Sequence, residues 1–467
     1  MFLHDVDPIL LSAIVGFTTY VLTELYHMHR DEFGIQTRLK NLFFFYVKKV
    51  PAIRREIDKQ LTSINKNLSE SLKFSNDSSE FIDQLPQHGL GKSGVIKLAA
   101  KYDEIESVRY PDGFVSGAAF NTEEDESEAE TYAQVFKMFA WSNPLWPKLF
   151  PAVRKMESEV VRICSQMLNG DDDVCGTMTT GGSMSIIHAC LAHRNRAIRR
   201  GVKYPEMILP TSAHAAFFKA AESNIPVHVD ACLGGFLLPF LDKKIKFDFS
   251  VPGVSSISVD THKYGLAPKG SSVILYRNKS YLHHQYFCDP DWQGGIYASV
   301  SLEGSRSGSS IAVAWAALLY HGRKIFESNA VSIADTTMRI RQGLSKIDGI
   351  IVRGSPEVCI VHWSTERPEL LHRMFYFLSS RGWHLHLLQF PAGIHIMITP
   401  IHTQKGISQK LISDCQEAMK YTTSTEPTAD EMKSEAAVYG MAEQIPDRSL
   451  VNEFAYSYLD ACYECNK

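Results

Sequence analysis

The sequence predicts an α/β protein, with a large, mostly parallel sheet domain ahead of a smaller α/β domain. Three observations predict it. Residues 225–229 and 256–259 are strand-length runs, the first delivering Asp230 at its end and the second leading into a loop with His262 and Lys263. Residues 175–185 read as a short strand, a Gly-rich turn and the start of a helix. From residue 325 onward the pattern is helix, strand, helix, strand, with strands at 350–352, 358–363 and 394–398 and a helix at 369–381.

Taken in order, the chain begins with an uncharged stretch at 8–23, preceded by Asp5 and Asp7 and followed by Arg30, Arg38, Lys40, Lys48 and Lys49. A helix over it would span roughly 24 Å, against about 30 Å for a bilayer core. The expectation is a membrane anchor within residues 1–30, with the long C-terminal part on the cytoplasmic side because basic residues follow the span. Residues 31–138 form a helical linker and N-terminal segment. The aromatic run at 42–47 suits a membrane surface, and the acidic run at 123–130 suits the start of a helix. Two prolines, Pro144 and Pro147, close that helix. An amphipathic helix at 152–168 carries Val153, Met156, Val160, Ile163 and Met167 on one face.

In the Gly-rich turn, Gly181, Gly182 and Ser183 are candidate phosphate ligands. Glycines let backbone approach an anion, and a helix N-terminus offers free N–H groups. Residues 206–209 read as a strand leading to a helix opened by Thr211 or Ser212 and carrying His214. Residues 271–276 read as a strand leaving the Lys263 loop, and 311–320 as a core helix.

The bulk numbers narrow the function. The chain of 467 residues is 45% hydrophobic and 21% charged, as in ordinary globular proteins. A net charge of −4 gives no basic footprint for nucleic acid. The nine cysteines are scattered, which suits reduced thiols. Cys462 and Cys465 form a CxxC with no second pair, so no metal site is expected.

An Asp at one strand end and a His-Lys at another are what a pyridoxal phosphate site needs. The Lys263 amine takes the cofactor aldehyde, and Asp230 pairs with the protonated ring nitrogen. Alone, such an Asp is a turn residue and such a Lys is solvated. At two strand ends of one α/β pattern, they point to the cofactor.

The stretches His228-Val229-Asp230-Ala231-Cys232-Leu233-Gly234-Gly235-Phe236 and Asp260-Thr261-His262-Lys263-Tyr264-Gly265-Leu266-Ala267-Pro268-Lys269-Gly270 resemble the sphingosine-1-phosphate lyase family of pyridoxal phosphate enzymes. The resemblance extends over most of the chain. It implies the aspartate-aminotransferase-like (type I) fold, with the cofactor domain at 139–324 and the small domain at 325–467. It implies that Lys263, Asp230 and His214 are catalytic, with His214 stacked on the pyridine ring. Gly181, Gly182, Ser183 and His262 would also hold the cofactor. Asn143, Lys269 and Arg306 would contact substrate. Residues 291–299 resemble a loop near a phosphate across a dimer interface. The family further implies a homodimer and a single-pass anchor in the endoplasmic reticulum membrane. Its substrate is a phosphorylated sphingoid base, cleaved to a long-chain aldehyde and phosphoethanolamine.

The sequence departs from the family pattern in places. Trp146 stands where a His is usual, Met184 where Glu is usual, and Val300 and Ser307 where Pro is usual. Only fifteen residues separate His214 from Asp230. The family has a longer interval there, holding two further strand–helix units. Two other readings therefore stay open. One is an amino acid decarboxylase of the same fold, and the other is a catalytically impaired, membrane-tethered homologue.

Overall fold

The structure, a computed structural model, describes residues 43, 46–59, 62, 82, 84–104, 110–122, 126–208, 226–241, 245–355, 358–389, 391–428, 431 and 448–462. The stretch at 8–23, His214 with its helix, and most of the interval before Asp230 lie outside them. Among the described residues no helix is long and apolar enough to cross a membrane.

Two compact units divide the chain: Met1–Ser107 with Val438–Lys467, and Val108–Ala437. In the first, α1 (Gly91–Asp103) buries none of its side chains. Arg54 pairs with Asp58 at 2.8 Å and with Glu453 of the C-terminal helix Arg448–Cys462 at 3.1 Å. All three side chains are solvated, so these pairs add little stability.

The second unit runs α2 (Glu126–Phe139), α3 (Pro151–Met167), β1 (Cys175–Thr179), α4 (Gly182–Arg199), β2 (Val227–Asp230), β3 (Val254–Val259) and β4 (Ser272–Tyr276). A ribbon of β5 (Phe287–Asp289) and β6 (Tyr297–Ser299) precedes the long α5 (Gly308–Leu344). Then come β7 (Ile350–Arg353), β8 (Ile360–Thr365), α6 (Pro368–Ser380), β9 (His386–Leu388), β10 (Gly393–Met397) and α7 (Ile407–Ser424).

Local sequence accounts for several boundaries. Glu126 and Glu128 occupy the first turn of α2, where carboxylates suit the helix dipole. Pro151 opens α3, where a missing N–H costs nothing. The buried face of α3 holds Val153, Val160, Val161 and Cys164, close to the stripe read from its periodicity. The long α5 bends at Gly322, whose φ of 62° only glycine adopts readily.

The first sheet has the order β1-β4-β3-β2. Among the described residues three of its four strands, β1, β3 and β2, run in one direction and β4 runs against them. Among the described residues only β2 and β3 pair in parallel, while β4 is antiparallel to both β1 and β3. The strand expected at 206–209 is not formed over its described part: residues 206–208 are irregular, and Ile208 is 86% exposed. Every residue of β3 and β4 is buried, as expected for central strands covered on both faces.

The second sheet, β7-β8-β10-β9, is antiparallel throughout. Its core includes Trp363 and Trp383, both almost wholly buried. The Trp383 Nε1–H donates to Asp414 at 2.7 Å, so the ring is buried without orphaning its polar atom.

Candidate active site

The parallel pair organises the site. Asp230 lies opposite Ser258 across β2 and β3, so both strands release their loops at one edge of the sheet. The β2 loop contributes Asp230 and Cys232. The β3 loop contributes Asp260, His262 and Lys263. The start of α4 closes on both. A β-carbon on Gly182 would lie 2.7 and 2.8 Å from the Asp260 oxygens and 2.9 Å from Cys232 Sγ. A β-carbon on Gly181 would lie 3.5 Å from His262 Cε1. Glycine at 182 is therefore a steric requirement.

The turn is pinned from below by hydroxyls. Thr179 Oγ1 donates to the Gly181 carbonyl at 3.1 Å, and Ser185 Oγ links Thr179 at 2.7 Å to Ser272 at 2.9 Å. No side chain at position 181 caps α4, which leaves the first N–H groups of an 18-residue helix available to an anion. Ser183 is exposed in that first turn.

Lys263 Nζ lies 3.0 Å from Asp260 Oδ2, and His262 Nε2 lies 3.4 Å from the same oxygen. Asp260 is 1% exposed, and Lys263 keeps 29% of its side chain open. Among the described residues neither Asp260 oxygen accepts a well-angled hydrogen bond, so the pairing is one of charge. Burial raises the Asp260 carboxyl, but His262, Ser272 and Lys263 outweigh it and hold it below the usual range. His262 Nδ1 accepts from the N–H groups of Gly270 at 3.3 Å and Ser271 at 3.1 Å, which leaves Nε2 facing Asp260.

The loop then folds back through Leu266, a leucine at φ 60°, whose N–H donates to the Lys263 carbonyl at 3.0 Å. A non-glycine residue in that region stores strain, here beside the reactive amine. Asp230 Oδ1 accepts from the Cys232 N–H at 3.0 Å, and the side chain remains exposed. Burial, then the Asp260 carboxylate, push the Cys232 thiol up.

The structure therefore brings together Gly181, Gly182, Asp230, His262 and Lys263. The Lys269 amine sits 4.7 Å over the Phe120 ring, and burial followed by Lys263 holds its ammonium below an ordinary lysine. His214 lies outside the described residues.

Two expected substrate ligands are otherwise engaged. Arg306 forms a bidentate pair with Glu157, at 2.6 and 3.0 Å, and donates to the Met178 carbonyl at 3.0 Å. Both partners are largely buried, so the guanidinium ties a loop to α3 and β1. Asn143 donates to Ser305 Oγ at 3.0 Å and accepts from the Leu145 and Arg306 N–H groups. It is a loop brace in this structure. The residue that sequence reasoning passed over is Asp260. Its signal was present, since it stands three residues before Lys263 and two before His262 in a turn.

The residues fit pyridoxal phosphate. The N-terminus of α4 has no β-carbon in the way of a phosphate. A lysine amine stands beside an orphaned buried carboxylate, and a second carboxylate ends the neighbouring strand. These features define an α/β pyridoxal phosphate enzyme.

Comparison with known proteins agrees. Residues 218–347 match the family described as the pyridoxal-dependent decarboxylase conserved domain. The sphingosine-1-phosphate lyase 1 of Rattus norvegicus is 34% identical over 519 aligned positions, covering 98% of this chain and 90% of its own. The sphingosine-1-phosphate lyase of Drosophila melanogaster is 35% identical, covering 93% and 90%. Among solved structures, a sphingosine-1-phosphate lyase from Burkholderia pseudomallei K96243 superposes with a TM-score of 0.72 at 27% identity, over 84% of this chain and 100% of its own. A Lactobacillus brevis glutamate decarboxylase, 17% identical with a TM-score of 0.62, shares the fold. The chain belongs to the sphingosine-1-phosphate lyase family. The 519-position alignment is longer than the 467-residue chain, so it opens gaps in this chain.

Proposed function

We propose that this protein is a carbon–carbon lyase that cleaves a phosphorylated sphingoid base to a long-chain aldehyde and phosphoethanolamine in sphingolipid breakdown. The observation that carries this reading is Lys263 Nζ, held 3.0 Å from buried Asp260 at the edge where β2 delivers Asp230. Pyridoxal phosphate, when bound, supplies an electron sink for the charge left at C2 as the C2–C3 bond breaks.

The chain's own residues supply the rest. Lys263 would hold the cofactor aldehyde, with Asp260 keeping its amine at the site. Asp230 would keep the ring nitrogen protonated. The N–H groups of Gly182 and Ser183 would hold the phosphate. Lys269, beside Lys263, offers a cation to the substrate phosphate. The test is a lyase assay with a phosphorylated long-chain base. Aldehyde release is expected from the wild type and none above background from Lys263→Ala; equal release from both sinks the assignment.

Three further features belong to this reading. The uncharged stretch at 8–23 and the basic residues after it support a single-pass anchor in the endoplasmic reticulum membrane, with the catalytic part facing the cytoplasm. A lipidic substrate suits such an anchor. Exposed Trp141, Trp146 and Leu149 on one loop and Trp292 and Ile296 on another support a homodimer that covers them.

A second reading, cofactor binding with impaired turnover, is favoured by the short interval before Asp230. The same assay separates it, because that reading predicts cofactor uptake without aldehyde.

A further inference from the structure

Beneath the cofactor edge, a row of side chains crosses from α4 to Asp230. His193 Nε2 of α4 lies 2.8 Å from Ser256 Oγ of β3. Ser256 Oγ lies 2.9 Å from His228 Nδ1 of β2. The other nitrogen, His228 Nε2, lies 3.3 Å from Ser258 Oγ of β3, and Ser258 Oγ lies 3.4 Å from Asp230 Oδ1. His228 faces Ser256 and Asp230 faces Ser258 in the strand register, so all four project to the side of the sheet where His193 meets them. Both serines are fully buried. The proposed reaction uses only Asp230 of this row.

The chemistry of the far end sets the direction of every bond. A carboxylate only accepts, so the single Ser258 proton goes to Asp230. Ser258 must then accept from His228 Nε2–H, and it also accepts from the Cys232 thiol at 3.2 Å. A neutral His228 with its proton on Nε2 presents Nδ1 as an acceptor, so Ser256 donates to it. Ser256 in turn accepts from His193 Nε2–H. That leaves a bare lone pair on His193 Nδ1, which is buried with no partner among the described residues. The chain of donors starts there because nothing feeds it.

Near His193, Arg196 and His284 favour the neutral ring; near His228 the Asp230 carboxylate opposes it, and burial outweighs that opposition. Burial, the largest cause, holds both imidazoles at about 4.

We propose that His228 and Ser258 are positioning residues for Asp230, holding its carboxylate in one orientation at the end of a one-way chain of hydrogen bonds that begins at His193. That orientation matters to the reaction only through the cofactor reading above, on which its use rests. The two links nearest the carboxylate are the longest, so the experiment is aimed at them.

Nitrogen NMR of histidine-labelled, cofactor-free protein reads the chain directly. His228 is expected as the neutral Nε2–H form, unchanged between pH 5 and 8. Ser258→Ala should shift its Nε2 signal. The same variant should weaken pyridoxal phosphate binding about tenfold, the effect of one hydrogen bond to a charged group. Ser258→Thr, which keeps the hydroxyl, should restore most of it. The proposal is overturned if wild-type His228 carries its proton on Nδ1 or titrates in that range. It is also overturned if Ser258→Ala leaves both the His228 signal and cofactor affinity unchanged. If the wild-type signals are as expected, Ser258→Ala moves them, and no variant binds the cofactor, the hydrogen-bond chain stands and the cofactor reading fails.

Discussion

Asp260 contributes most by charge. Its carboxylate sits under the Gly181–Gly182 turn with Lys263 and His262 on its open side, and it accepts no well-angled bond in return. Replacing it with a neutral amide removes the counter-charge that keeps the Lys263 amine at the site. Asp260→Asn is expected to cost about 1–2 kcal/mol in a denaturant melt, less than a fully buried pair because Lys263 stays 29% exposed. It should also lower cofactor occupancy, measured by absorbance; full occupancy with unchanged stability would contradict the role given to it. Lys263, Asp230 and the two glycines were legible in the sequence, because each is a residue type the cofactor demands at a strand end or helix start. Arg306 and Asn143 were not. Glu157, which takes the Arg306 guanidinium, stands 149 residues away, and no local spacing reveals such a partner.

At the scale of elements, apolar runs and helical periodicity placed α3, α6, β3, β4 and β8 to within a few residues. Elsewhere pairing decides the outcome. Residues 206–209 have the composition of a strand but do not form one over their described part. β9 was overlooked because three residues carry no readable period, and it exists through pairing with β10. The bend in α5 falls between the helix read at 311–320 and the one read from 325, with Gly322 in the gap. At Gly322, φ is 62° and ψ 172°, and a β-carbon there would meet nothing within 4 Å. The cost of a substitution is thus one of backbone alone. Gly322→Ala is expected to destabilise by about 1–3 kcal/mol in chemical denaturation. A neutral or stabilising result would mean that α5 can straighten.

Across the whole molecule, buried imidazoles set a response to acid. Burial holds His193, His228, His395 and His402 each at about 4. His395 of β10 also has His362 and His386 as its partners on either side, so a proton there would face two further rings. In the unfolded chain these groups titrate near 6.5. Between about 4 and 6.5 the unfolded state binds more protons, so stability rises with pH in that window and is lost as pH falls through it. Each group contributes on the order of 1–3 kcal/mol. Thermal melts should therefore fall steeply from pH 7 to pH 5, before the carboxylates titrate, and a flat profile would contradict the burial described. The fold class was legible at this scale, and so was the shortness of the interval before Asp230; the place of the reversed strand β4 between β1 and β3 was not, because strand order is set by long-range pairing.

The central claim is that Lys263 is the amine that takes the cofactor. Purified protein incubated with pyridoxal phosphate, reduced with borohydride and digested would locate it by peptide mass. The account predicts the reduced cofactor on Lys263 and on no neighbouring lysine, Lys269 included. An unmodified Lys263 in folded protein, or a label on Lys269 alone, would contradict it.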